Sequence, residues 1–308
     1  MTHRPTARRH LAAAGVAIAL LAGGCGEATD PESTAIGAND TVSINEAIRQ
    51  RLPESIRERG TIRLATDPSY APMESYAADG RTVIGFDADL AAGLGSVLGI
   101  KIEMVAADFS TALDDTVSGE FDGVLSAMTD TVEREKKADF INYFSAGTSI
   151  VVRRGNPSGV SDLKDLCGQV VAVEQSTVQQ DLLKRSQRGC GSNPITIRTF
   201  KTNADALLQL RTGRAVAILN DYPPAAELAT DPSTRTHYQL ASTVQYEPGL
   251  YGLAVAKDNT QLRDALCAAL DELMHAGVYN ELLLRWGLTT GSLQASSING
   301  AGGTKPSD

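Results

Sequence analysis

Basic residues are in deficit. The chain has 28 Lys and Arg against 37 Asp and Glu, a formal charge of −9 and a pI near 5.0. A nucleic-acid binder needs a basic face that releases counterions, and no Lys/Arg run lies outside the N-terminus. Loss of residues 1–25, which hold Arg4, Arg8 and Arg9 and no acid, would take the balance to −12. Long apolar runs are also missing: the apolar core at 11–22 is shorter than the roughly 20 residues that span a bilayer. Cysteine is sparse, at four, with no CxxC and no Cys/His ligand spacing, so neither a zinc site nor a redox site is expected. Beyond residue 25 the histidines are His237 and His275, and neither follows a predicted strand, which weakens the case for acid–base catalysis. Gly93, Gly95 and Gly99 have the wrong spacing for a dinucleotide loop.

What is present is enough for one large or two ordinary domains: 308 residues, 42% hydrophobic. The start reads as an address. MTHRPTARRH supplies a positive region, LAAAGVAIALLA an apolar core, and Ala22-Gly23-Gly24-Cys25 small residues ending in a cysteine. This resembles a bacterial lipoprotein signal with Cys25 as the lipidated residue, although Ala22 stands where leucine is commonest. Arg8-Arg9 leaves the twin-arginine export route open beside the general one. Residues 26–42 are small, polar and aperiodic, as in a tether. In an oxidising compartment Cys167 and Cys190, both in Gly-flanked loops around one strand–helix unit, are the expected disulfide. Cys267, on the apolar face of LRDALCAALDELM, is left as a packed thiol.

Two short helices interrupted at Pro53 are predicted over 43–59, then a strand at 61–66. Asp87 is expected to cap a helix at 88–98. Strands at 101–105 and 123–125 surround a helix at 109–118. A second series places strands at 149–153, 170–174, 195–199 and 215–220 between helices at 161–166, 179–188, 203–212 and 223–228. A strand at 252–256 and one long helix at 260–286 close the pattern, and the tail 289–308 reads as loose. This alternation predicts an α/β protein with largely parallel sheets.

Open α/β sheets take ligands at the carboxyl ends of their strands. Those positions hold Asp67 and Tyr70; Ser126, Ala127 and Thr129, with Arg134 a turn later; Glu174, Thr177 and Val178; and Asp221. The inventory suits a zwitterion. A guanidinium and helix-start N–H groups take a carboxylate, an acid takes an ammonium, and an aromatic face packs the rest. Each has an ordinary alternative: Arg134 could pair with Glu133 or Glu135, Asp221 and Thr177 could simply cap helices, and Tyr70 and Phe109 could be core.

LATDPSYAPM, GFDADLA, DFSTAL, SGEFDGVLSAMTDTVERE, ADFINYF, LKDL, LQLRTGRAVAILND, YGLAV and GVYNELLLRWG, in that order, resemble the solute-binding proteins of polar amino-acid ABC transporters, family 3. The resemblance runs from about Leu52 to Gly287. It implies a two-lobed, type II periplasmic-binding-protein fold with two hinge strands, near 150–152 and 244–250. Its parts would be a signal peptide at 1–25, a tether and short helices at 26–59, lobe 1 at 60–149 and 250–288, lobe 2 at 153–244, and the tail. By position, it implies that Arg134, Thr129 and Thr177 hold a ligand carboxylate and Asp221 an ammonium. Tyr70 and Phe109 would form walls, while Asp67 and Glu174 read the side chain. Pro72-Met73 replaces the usual Pro-Phe, and Ala127 and Ser176 stand where glycine is common. The implied partners are a free polar amino acid, an ABC permease, and the membrane through the lipid, with the protein monomeric and without cofactor, metal or catalytic residue. Asp67 and Glu174, two acids besides Asp221, tilt the ligand toward a cationic amino acid, with glutamine and other neutral polar ones the main rival. A sensor presenting its state to a membrane receptor, or a cyclohexadienyl-dehydratase-like enzyme, are the alternatives.

Overall fold

The computed structural model describes residues 42–303. The expectations for the signal, for lipidation at Cys25 and for most of the tether lie outside the described residues. The elements begin with α1 (Glu46–Arg49), α2 (Glu54–Arg59), β1 (Thr61–Thr66), β2 (Ser69–Tyr70), β3 (Glu74–Tyr76) and β4 (Val83–Ile84). Next come α3 (Phe86–Leu98), β5 (Lys101–Ala106), α4 (Phe109–Val117), β6 (Gly123–Val124), α5 (Val132–Glu135) and β7 (Ala138–Arg153). The second series is β8 (Val170–Glu174), α6 (Val178–Ser186), β9 (Thr196–Phe200), α7 (Asn203–Arg211), β10 (Ala217–Asp221), α8 (Tyr222–Thr230) and β11 (Tyr238–Leu240). The chain returns through β12 (Tyr246–Ala256), α9 (Thr260–His275), α10 (Val278–Arg285) and β13 (Ser297–Ile298).

One curled mixed sheet runs β5-β1-β6-β12-β7-β10-β8-β9, with β11 and β13 both on β7; β2-β3-β4 form a small separate sheet. Successive side chains of a strand face opposite ways, and here each way has its own core. Ile62 and Leu64 of β1 join the helices α1, α2, α3, α9 and α10, whereas Ala65 faces Ala112 of α4 and Phe140. In the second lobe Val171 and Val173 pack toward Leu182 and Leu183 of α6, and Ala172 toward Ala206 and Leu210 of α7. The two lobes share β7 and β12. On β7, Ala146 belongs to the first core and Ile150 to the second, so the changeover falls a few residues before the expected 150–152. On β12, Tyr246 packs with the second core and Tyr251 with the first.

Three expectations need correction. Asp87 does not cap α3, which starts after Gly85; the Asp87 carboxylate is fully buried and accepts from Ala127 N–H and Tyr143 Oη–H, each at 2.9 Å. Gly85 can fill that start because its φ is +133° and a Cβ would sit 2.2 Å from the Met73 carbonyl oxygen. The predicted helix 260–286 is two, α9 and α10, turned at Gly277 with φ +82°. The apolar periodicity runs on across the break, which hid it.

The tail is seated through residue 301 rather than loose. Ser297 and Ile298 pair antiparallel with Asn142 and Ile141. The Asn299 side chain accepts from Phe140 N–H at 2.8 Å, and Gly300 N–H donates to Asp130 Oδ2 at 2.9 Å. Its small, polar composition conceals this because the contacts are mostly backbone ones. Cys167 and Cys190 are bonded, and Cys267 is free, its Sγ 3.2 Å from Ser296 Oγ.

Candidate functional site

A cavity of about 340 Å³, counting the space open to solvent, lies between the lobes where strand ends meet. Asp67 follows β1, Ser126 and Ala127 follow β6, Glu174 ends β8 and Asp221 ends β10; all four strand ends face this one space. Tyr70, Phe109, Thr129, Arg134, Thr177 and Val178 complete the set that sequence picked out, and all of them line it. Glu74 and Gln179 line it too and were missed.

Arg134 is held by backbone, not by a neighbouring acid. One terminal nitrogen donates to the Thr129 carbonyl at 2.6 Å, and the other crosses to the Ser176 carbonyl of the second lobe at 2.9 Å. Its guanidinium carbon stands 5.6 Å from the centre of the Phe109 ring, a cation–π distance. Two of its five N–H groups are thus used, and it makes no ion pair among the described residues. Burial lowers its pKa to about 10, partly opposed by Asp221, so the group stays charged at neutral pH.

Asp221 occupies the position before α8 without capping it. Its carboxylate instead accepts from Gln179 Nε2–H at 2.7 Å and from Tyr70 Oη–H at 3.2 Å. Burial raises its pKa to about 7 against the lowering effect of its hydroxyl and amide partners and of Arg134. Thr177 does cap α6: its Oγ accepts from Gln180 N–H and donates to the Glu174 carbonyl. The cap leaves the helix start open to the cavity, where N–H groups favour an anion.

Asp67 and Glu174 are 7% and 8% exposed and lie within hydrogen-bonding reach of each other across the cleft. Burial, reinforced by Asp67, pushes Glu174 up to about 10, and burial also raises Asp67. Behind them, Ser126 Oγ accepts from Asp67 N–H at 2.9 Å and donates to Glu74 Oε1 at 3.0 Å. Glu74 itself is buried against Asp87, and burial with that neighbour holds it protonated, well above the usual carboxylate range. Glu74 was missed because it lies in the short strand of PMESY, in the small separate sheet, not at the end of a strand of the main sheet. Gln179 could have been found from Thr177, since it lies in the first turn of the helix that Thr177 caps.

Two backbone positions lie where an L-residue is strained and a glycine would not be. Ala127 has φ +45° and Ser176 φ +62°, in the left-handed region that costs an L-residue roughly 1–2 kcal/mol. The turn is kept, and with it the Ser176 carbonyl that receives Arg134. Further bonds close the cleft: Gln175 Nε2–H to Ser110 Oγ at 3.0 Å and Asn203 Nδ2–H to the Ser69 carbonyl at 3.2 Å. Chemically, the cavity offers one guanidinium, a helix start, one acid paired to hydroxyl and amide donors, and a separate acid pair.

Residues 62–289 match the model of the bacterial extracellular solute-binding proteins, family 3. The arginine-binding protein ArgT of Corynebacterium glutamicum is 30% identical over 257 residues, 82% of each chain. The L-cystine-binding protein TcyJ of Escherichia coli is 27% identical, covering 80% of this chain and 89% of the relative. Among solved structures, an ancestral arginine-binding protein bound to arginine superposes with a TM-score of 0.68 at 30% identity, over 74% of this chain and 98% of that one.

Proposed function

The chain belongs to the bacterial extracellular solute-binding proteins, family 3, and from that premise we propose that it captures a polar amino acid between its lobes, a cationic one by preference, and delivers it to the permease of an ABC transporter. The observation that carries this is the presence of Arg134 and Asp221 in one buried cavity, one from each lobe and neither ion-paired to the other. A free amino acid brings one carboxylate and one ammonium on the same carbon. Arg134 offers a two-pronged partner for the carboxylate, with the start of α6 beside it. Asp221 offers the ammonium an oxygen pair already oriented by Tyr70 and Gln179. Phe109 and Tyr70 wall the space, and Ser126, Ala127 and Thr129 shape its floor.

A cationic side chain is favoured because two acids, Asp67 and Glu174, remain after the backbone groups of the ligand are matched. Arginine-binding relatives support the same preference. Lipid anchoring at Cys25 on the outer face of the membrane, and action as a monomer, belong to the same reading. A thermal-shift panel of the full chain against the twenty amino acids, ornithine, citrulline and prephenate tests it. A ligand at about 100 times its Kd stabilises by roughly 2.7 kcal/mol. Shifts with arginine, lysine or ornithine are expected, whereas a shift with prephenate alone would replace the reading with an enzyme.

A further inference from the structure

The Asp67–Glu174 pair has a property that recognition of a cation alone does not require. Its two members come from opposite lobes, and Asp67 Oδ2 and Glu174 Oε1 are both buried without a hydrogen bond of ordinary geometry among the described residues, Ser69 being a neutral donor that acts on Asp67. Two buried carboxyl groups within hydrogen-bonding reach of each other need a hydrogen between them, because two buried carboxylates at contact cannot both stay ionised without a counter-charge. The groups packed around the pair provide none. Asp108, before α4, raises both members; Glu74 of β3 is itself raised by Asp67; and Tyr70 feels Glu174 as a negative charge. Lys201 acts on Asp108 rather than on the pair, and Arg134 acts on Asp221.

We propose that this pair is a proton-exchange specificity element: the lobes close on an uncharged amino-acid side chain with one proton held between Asp67 and Glu174, and on a cationic side chain with that proton released to solvent. The inference rests on the amino-acid reading above and extends it. The charge balance is the same in both closed forms. A neutral side chain, two carboxylates and one proton sum to −1; a cationic side chain and two carboxylates also sum to −1. The N–H groups of the cation then satisfy the two oxygens that the proton satisfied before. Burial, which holds the Glu174 proton up to about 10, keeps the first form intact at neutral pH.

The consequence is a preference set by pH. The two complexes differ by one proton, so the ratio of arginine to citrulline affinity changes about tenfold per pH unit and rises with pH. Asp221 meets the α-ammonium in both complexes, and its titration cancels in the ratio. Citrulline is the suitable comparison because it has the shape of arginine without the charge.

Isothermal titration of the full chain with arginine and citrulline, from about pH 5.5 to about pH 8, gives the ratio directly. The expected result is a rise of about a hundredfold or more across that range, and a flattened ratio in Glu174→Gln, where the amide donates to Asp67 and no shared proton remains. Titration of arginine at one pH in buffers of different ionisation enthalpy counts protons independently of any variant. A flat ratio in the unaltered chain overturns the proposal while leaving amino-acid binding in place. Citrulline binding too weak to measure even at the lowest pH also overturns it. No binding of any amino acid removes the underlying reading, and this inference with it.

Discussion

Tyr70 and Asp221, 151 residues apart, exchange two hydrogen bonds across the cleft. The Asp221 backbone N–H donates to Tyr70 Oη at 2.8 Å, and that hydroxyl donates to Asp221 Oδ2 at 3.2 Å. One phenol therefore fixes both the backbone and the charge of the acid proposed to meet the ligand ammonium, and it does so from the opposite lobe.

Tyr70→Phe removes both bonds while keeping the ring. A lost bond to a buried charged group costs about 1.5–3 kcal/mol, so affinity for every amino acid bound should fall roughly 10- to 100-fold. Calorimetric titration measures this. Because the bonds join the lobes rather than either core, the melting temperature of the unliganded protein should move little.

Glu174→Gln should raise stability, and more so at higher pH. The group holds its proton in the folded chain up to about 10, while the unfolded chain loses it above about 4.5. Its contribution to stability is intact below the unfolded value and declines as pH rises toward the folded one. The gain in Tm on substitution should be close to zero near pH 4.5 and several degrees by about pH 8. Melting curves at three pH values test the sign. The same variant should lose affinity for arginine far more than for glutamine.

The Cys167–Cys190 bond closes a loop of sequence separation 23 within the second lobe, away from the cavity lining. Chain-entropy arithmetic for such a loop gives about 3 kcal/mol. The Cys167→Ser/Cys190→Ser pair should lower the melting temperature and leave ligand affinity within about twofold, because no lining residue bonds to either cysteine.

Gly291 lies beyond the family-matched residues, yet a Cβ there would stand 2.1 Å from the Phe144 ring. Gly291→Ala should therefore destabilise by about 1–3 kcal/mol, the usual cost of overpacking. A neutral outcome in a denaturant melt would mean that the C-terminal segment does not sit against β7 as described.

The fold was legible where local pattern and tertiary role agree. Ile62-Arg63-Leu64 reports its strand by alternation and Val171-Ala172-Val173 by a short, wholly buried apolar run, and the chemistry-bearing residues stand at or just beyond strand ends, where this class of sheet puts them. Legibility failed where a residue's role is set by a distant partner. Asp87 looks like a helix cap because aspartate before an apolar run usually is one; its real partners, Ala127 and Tyr143, are 40 and 56 residues away. Glu74 and Gln179 reach the cavity through partners 52 and 42 residues away. The tail from 297 to 301 is held largely by backbone groups, which every residue type carries, so no composition signals it.

The central claim is that Arg134 and Asp221 together grip the carboxylate and ammonium common to all amino acids. Calorimetric titration of arginine, lysine and glutamine into the unaltered chain and into Arg134→Ala tests this most directly. The expected result is measurable affinity in the first and a loss on the order of 2–5 kcal/mol for every ligand in the second, as when one partner of a buried charge pair is removed. Retention of affinity in Arg134→Ala for any one of them would contradict the account.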